Sequence, residues 1–221
     1  MQYTVVKQKR KTATIVVNDN LEVIVKVPRY ITKKQIELLL HEHVNWINET
    51  LQKKKAQRER IDWYQTGEIL YLGKYYPVQI MKMTGRKPSV QFDESCFSIY
   101  TDGSEACARK EMEKFFRVQA KEKLTDLANQ YSKCLGVAYN QLTIRKQVTR
   151  WGSCSSKGNL SFNVKLVCAP VEMMAYVALH EVAHLKHFNH SQAFWKEIER
   201  WMPDYKERMN YFKQFGQNFM I

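Results

Sequence analysis

Hydrophobic positions change their spacing several times along this chain, and each change marks an element. β-Branched residues fill Thr12–Val17 and Leu21–Val27 on either side of Asn18-Asp19-Asn20, which reads as a β-hairpin closed off by Pro28. Thr32 can then cap a long helix. Ile36, Leu39, Leu40, Val44, Ile47 and Leu51 recur at three- and four-residue spacing and form one apolar stripe, and the helix ends in the charged Lys53–Arg60 run. Gly67–Leu72, Tyr75–Met83, Ser89–Phe92 and Cys96–Tyr100 are short, β-prone and separated by turn residues, so a small sheet is expected. Ser104 is the candidate N-cap of a second long helix that runs to about Leu135 and stops at Gly136.

Beyond Gly136 the pattern shifts again. Leu142–Val148 and Leu160–Val167 read as strands, with Trp151-Gly152-Ser153-Cys154-Ser155-Ser156-Lys157-Gly158 as a turn-rich loop between them. Pro170 opens a helix with Val171, Met174, Val177, Ala178, Val182 and Leu185 on its apolar positions. Asn189-His190-Ser191 breaks that pattern, a further helix is expected from Gln192 to Trp201, and Pro203 begins a last one. The expected fold class is therefore α+β. Residues 1–102 form a β-rich and helical N-terminal region, residues 103–221 form the second domain, and the boundary lies near Asp102–Gly103. There is no internal repeat and no low-complexity linker.

Composition narrows this picture. With 44% hydrophobic and 26% charged residues among 221, a folded globular chain is expected rather than a disordered one. No apolar run reaches membrane-spanning length, and the basic Met1–Lys11 segment lacks the apolar stretch of a signal peptide. No membrane partner is expected, and the cytoplasm is the simplest location. The five cysteines are odd in number and none stands at Cys-x-x-Cys spacing, which argues against a disulfide framework or a zinc ribbon. They are expected to be small, mostly buried thiols. The net charge of +13 comes from 35 basic and 22 acidic residues. Clusters at Lys7–Lys11, Lys53–Arg60 and Arg145–Arg150 admit a nucleic-acid partner, although a solvated basic surface explains them as well.

The candidate chemistry lies in the helix after Pro170. His180-Glu181-Val182-Ala183-His184 places two imidazoles one turn apart on one helix face, where both can bind one zinc ion. Glu181 projects one position round the helix, close enough to hold a metal-activated water and take its proton. A third ligand is needed, and three candidates follow. His190 stands ten residues beyond His180, the offset of the third histidine in His-Glu-x-x-His-x-x-Gly-x-x-His. His187 occupies the glycine position of that pattern, so Asn189 is expected to supply the left-handed turn. His187 itself would stand about 10 Å along the axis from His180, too far for a shared ion. Glu197 and Glu199 on the next helix form the third candidate, and His190 is favoured. His41 and His43 are two apart and point to different faces.

Several ordered motifs strengthen the reading. Arg150-Trp151-Gly152-Ser153-Cys154, Phe162-Asn163, His180-Glu181-Val182-Ala183-His184-Leu185, Asn189-His190-Ser191, Phe194-Trp195 and Met202-Pro203-Asp204-Tyr205 resemble the YgjP-like metallopeptidases, relatives of the SprT and Wss1-type proteases. The segment Gly67–Val78 is similar more loosely. The resemblance implies a minimal zincin-like core, a small sheet beside the metal helix, with zinc bound by His180, His184 and His190 and with Glu181 as catalytic acid/base. It also implies a peptide or protein substrate lying along the sheet edge. Arg150–Ser153 or Leu160–Asn163 could supply that edge, which makes Trp151, Gly152, Ser153 and Asn163 candidate substrate-binding residues. Gly152 is either a close-approach glycine or a plain turn glycine, and Trp151 is expected to pack rather than to form a platform. The leading expectation is a zinc metallopeptidase. The alternatives are a nucleic-acid-associated protein with a structural zinc site, a DNA-associated protease, and a zinc hydrolase of non-peptide amides.

Overall fold

The computed structural model describes residues 2–18, 21–83, 85, 87–216 and 219, and for 56–61 the backbone alone. Asp19 and Asn20 of the expected hairpin turn, and the side chains of 56–60 in the second basic cluster, lie outside the described residues. The chain divides into two compact units, Met1–Ile61 and Asp62–Ile221. Among the described residues no helix is long and apolar enough to cross a membrane.

In the first unit the expected hairpin is β2 (Thr14–Val17) paired antiparallel with β3 (Val23–Pro28). A strand the sequence reading passed over, β1 (Tyr3–Gln8), pairs parallel with β3 on its other side. Thr32 caps the following helix through a capping box. Its hydroxyl accepts from the Gln35 N–H at 3.3 Å, and its own N–H donates to Gln35 Oε1 at 2.9 Å. The single long helix expected here is two, α1 (Lys33–Glu42) and α2 (Val44–Ile61). The break falls at His43, whose ring Nδ1 lies 3.1 Å from the Leu39 carbonyl and competes for it with the helix ladder. Val17, Val23, Val25 and Val27 of the sheet and Ile36, Leu40 and Ile47 of the helices form the core of this unit.

The second unit is mixed α+β. A short helix α3 (Trp63–Thr66) leads into β4 (Glu68–Tyr71), β5 (Lys74–Lys82), β6 (Ser89–Phe92) and β7 (Phe97–Thr101), a four-stranded sheet in the order β4-β5-β7-β6. Helix α4 (Glu105–Leu135) follows, capped by the Ser104 hydroxyl and ended by Gly136 at φ 65°. That left-handed φ is one a glycine adopts without a Cβ clash. The buried positions of α4 are Ala108, Met112, Phe116, Ala120, Leu124, Ala128, Tyr131, Ser132 and Leu135, mostly three or four apart. This one face meets β7 and, further along the chain, the segments Gln141–Arg145 and Val171–Ala183. Tyr71 stacks on Phe116 with ring centroids 5.7 Å apart, and Phe97 meets the same ring edge-on at 6.2 Å. The four-stranded sheet therefore shares a core with everything after it, and the compact units divide at 61/62 rather than at the expected 102/103.

The last part of the unit carries β8 (Gln141–Arg145), β9 (Gly152–Cys154) and β10 (Asn159–Asn163) in the order β8-β10-β9. The stretch expected to be a plain turn-rich loop thus contains an edge strand, β9, antiparallel to β10. The expected strand Leu160–Val167 ends at Asn163, whose side chain accepts from the Lys165 N–H at 3.2 Å and opens a 3-10 turn over Val164–Cys168. Helix α5 (Val171–Ala183) starts after Pro170, as expected. Met174 to Leu179 and Glu181 to Ala183 are all buried, so it is a central helix rather than one with a single apolar stripe. Helices α6 (Gln192–Trp201), capped by Ser191, and α7 (Tyr205–Phe215), starting two residues after Pro203, complete the unit.

Candidate metal centre

The last turn of α5 brings His180, Glu181 and His184 to one end of the core. His184 is the helix C-cap, and the chain leaves through tight turns in which the Lys186 and His187 N–H groups both donate to the Ala183 carbonyl. Asn189, expected to make a left-handed turn, does not. Positive φ outside glycine occurs among the described residues only at Leu21, Leu72 and Glu94. The tightened helix end turns the chain without it. His190, at the start of the Ser191 cap, then swings back over the helix face.

His180, His184 and His190 each offer a ring nitrogen, and these nitrogens lie within 4.8 Å of one another. The Nε2 atoms of His180 and His190 are 3.0 Å apart. Tetrahedral ligands at zinc–nitrogen distances of about 2.0–2.1 Å stand roughly 3.3 Å apart, so the cluster fits a single ion. The tautomer of His184 follows from its partner. Its Nδ1 lies 2.9 Å from the His187 carbonyl, which can only accept, so Nδ1 carries the proton and Nε2 keeps its lone pair. Burial, then the neighbouring His184 and His190, push His180 down to about 3, so its imidazole is neutral at physiological pH. Burial also lowers His184. His180 Nδ1 is buried without a protein hydrogen-bond partner.

Aromatic rings fix these imidazoles. His184 stacks on Phe194 at 4.7 Å, His190 on Trp195 at 5.6 Å, and Trp195 on Tyr205 at 5.3 Å. The other candidate ligands lie elsewhere. Glu197 accepts from Lys186 Nζ at 2.7 Å and from Trp201 Nε1 at 3.3 Å, with His187 Nε2 3.5 Å away. Glu199 is exposed on α6.

Glu181 is 6% exposed, and burial raises its carboxyl to about 8 against the opposing field of Arg150. It lies on Gly152. A Cβ built there would stand 2.6 Å from Glu181 Cγ and 2.7 Å from Oε1. Of the two roles open to Gly152, close approach is the one the geometry requires. Cys154, next on the same side of β9, is pushed up to about 11 by burial and by Glu181. All five cysteines are free thiols.

The remaining candidates separate. Trp151 packs against Phe212 at 5.1 Å and Phe219 at 5.5 Å, and it also walls a cavity beside the histidines. Ser153 sits in β9 opposite Ser161. Asn163 is buried, and its amide donates to the Gln147 and Arg150 carbonyls at 2.9 and 3.0 Å. With the Lys165 N–H on its oxygen, Asn163 shapes the 147–150 loop. Leu160–Asn163 is the middle strand, which leaves β9 as the edge nearest Glu181. Two of the basic clusters are partly committed within the fold, Arg10 to Thr14 and Lys146 to Glu113.

Residues 11–215 match the YgjP-like, metallopeptidase domain family. The chain belongs to that family. Two solved structures similar to this YgjP-like chain are metallopeptidase zymogens. Abylysin of Pyrococcus abyssi is 26% identical, with 44% of this chain and 99% of that one covered and a TM-score of 0.39. Jannalysin of Methanocaldococcus jannaschii is 23% identical, with 41% and 94% covered and a TM-score of 0.38. No curated protein matches the sequence. Family membership makes the YgjP-like chain a metallopeptidase, with a metal ion as cofactor and a peptide or protein as substrate. The three-histidine cluster is compatible with that ion. Sequence reasoning did not identify the cavity beside the cluster, lined by Tyr176, Val177, Met209, Phe212 and Lys213 together with Arg150 to Gly152. Tyr176, one turn before His180, was within reach of the same spacing argument.

Proposed function

We propose that this chain is a zinc-dependent peptidase with a zincin-like core, β8–β10 beside α5. His180, His184 and His190 hold the ion, and Glu181 is the general base and then the general acid. The observation that carries the reading is the cluster of three ring nitrogens within 4.8 Å, one residue from a buried carboxylate. Zinc, when bound, polarises the scissile carbonyl and the attacking water. The His187 carbonyl orients His184, and the Phe194 and Trp195 rings hold His184 and His190 in place. Glu181, seated against Gly152 and kept ionised by the charge of a bound cation, accepts the proton of the attacking water and passes it to the departing amine.

The edge strand supplies substrate alignment. The Asn163 N–H donates to the Trp151 carbonyl, and the Ser155 N–H donates to the Asn159 carbonyl. In an antiparallel ladder alternate residues bond to the partner strand, so the backbone groups of Gly152 and Cys154 point to the outer edge. An extended peptide pairing there would pass over Glu181. Replacement of Glu181 by Gln is expected to lower peptide hydrolysis about a thousandfold while zinc content stays at the wild-type level. Unchanged hydrolysis in that variant would remove the reading.

A further inference from the structure

We propose that the cavity beside His180 and Glu181 receives a substrate residue with a bulky apolar side chain and that Arg150 and Lys213 bind a carboxylate at its mouth. The proposal rests on the peptidase reading and adds a substrate class to it. The cavity holds about 350 Å³. Its walls are Trp151, Val177, Met209 and Phe212, and it opens directly onto His180 and Glu181. Trp151 packs against both Phe212 and Phe219, so the apolar wall is formed before any ligand arrives. A pocket of this size and lining suits an aromatic or long aliphatic side chain.

Charge at the mouth points to the second half of the recognition. Arg150 and Lys213 are both exposed, and among the described residues neither makes an ion pair or a side-chain hydrogen bond. Among the described residues Glu181 is the only carboxylate in the lining. Two cations against one acid, set in an apolar wall, give a positive field that is poorly screened. Arg150 also immediately precedes Trp151 and Gly152, so a peptide running along the outer edge of β9 reaches the cavity at this point. A carboxylate held there comes either from the free C-terminus of the residue in the cavity or from an Asp or Glu side chain one residue further on.

Binding tests this without turnover. The full-length chain carrying Glu181→Gln is titrated with N-acetyl-Ala-Phe and its C-terminal amide, then with N-acetyl-Ala-Phe-Glu-amide and N-acetyl-Ala-Phe-Gln-amide, by calorimetry at low salt. In at least one pair the carboxylate form is expected to bind about tenfold tighter than its neutral partner. The pair that shows it identifies the source of the carboxylate. Lys213→Glu, or Lys213→Gln if the former fails to fold, should bring the ratio close to one. Lys121→Glu, which makes the same charge change on exposed α4 surface, should leave it in place. Equal binding within both pairs, no binding by any peptide, a preference that survives both Lys213 changes, or one lost equally in Lys121→Glu would overturn the proposal. A wild-type chain that shows the preference yet hydrolyses no peptide would sink the peptidase reading and leave the subsite standing.

Discussion

Two sheets lie against α4, and they treat buried polar groups in opposite ways. Beside the four-stranded sheet the core is aromatic and its polar groups are paired. The Tyr71 hydroxyl donates to Gln119 Oε1 at 2.9 Å, and Arg109 Nη2 reaches both oxygens of Asp62 at 2.7 and 2.8 Å. Around the three-stranded sheet, Gln147 Oε1, Ser161 Oγ and His180 Nδ1 are buried without a hydrogen-bond partner, and the Glu181 carboxyl is buried beside them. A buried polar group left unpaired costs about 1–3 kcal/mol. Both regions contribute to one core, but the second leaves several buried polar groups unpaired beside the histidine cluster.

That contrast can be broken from either side. The largest effect is expected from His190→Ala, which removes one of three nitrogens and should take zinc from about one per chain to a small fraction, with activity lost alongside. His187→Ala keeps the backbone carbonyl that orients His184 and should retain the metal. Elemental analysis of the two purified proteins checks both, and the reverse pattern would overturn the ligand assignment. In the other region Phe97→Ala should do the opposite. Phe97 is fully buried and stacks on Phe92 at 4.3 Å, so truncation should cost about 3–5 kcal/mol in chemical denaturation. Zinc content and kcat/KM per folded molecule should not change. Gly152→Ala tests the junction. The added methyl must push Glu181 aside, and a misplacement of about 1 Å in a catalytic group costs about a hundredfold in rate. Steady-state kinetics should show the loss in kcat, with metal retained.

The two regions also differ in how far the sequence reveals them. Helix α4 was legible end to end because Ser104 and Gly136 punctuate it and its burial repeats every three or four residues. The histidine cluster was legible because four-residue spacing is a local property, and the ten-residue offset to His190 needed only a helix that ends after His184. Strand β9 was not, since Gly-Ser-Cys has no periodicity and becomes a strand only by pairing with β10. The change from strand to 3-10 turn at Asn163 lies inside one continuous apolar run, which spacing alone cannot divide. The division at 61/62 depends on Tyr71 and Phe97 reaching Phe116, a set of contacts between distant segments. The cavity is hidden for the same reason, because Met209, Phe212 and Lys213 arrive from α7, the last helix of the chain.

The smallest expected effect concerns the tie between α4 and β8, the strand that flanks the site sheet on the side away from β9. Glu113 accepts from Arg117 Nη2 at 2.8 Å and from Lys146 Nζ at 2.9 Å, while Arg117 Nη1 donates to the Ile144 carbonyl at 3.2 Å. Burial alone would raise the Glu113 carboxyl, but the hydrogen bonds and charges of Lys146 and Arg117 outweigh it and hold the group below its ordinary value. A carboxylate lowered in the folded state binds protons less readily there than in the unfolded chain. Its stabilisation is complete above the ordinary glutamate value of 4.5 and is lost as pH falls through the lower folded value. Glu113→Gln should therefore be less stable than wild type by about 1 kcal/mol near neutral pH, the site being partly exposed and screened. The gap should close as denaturation is repeated at progressively lower pH below 4.5. A gap that stays constant with pH would mean that Glu113 contributes through packing rather than charge. The same variant should leave zinc content unchanged, because β8 is separated from Glu181 by the whole of β10.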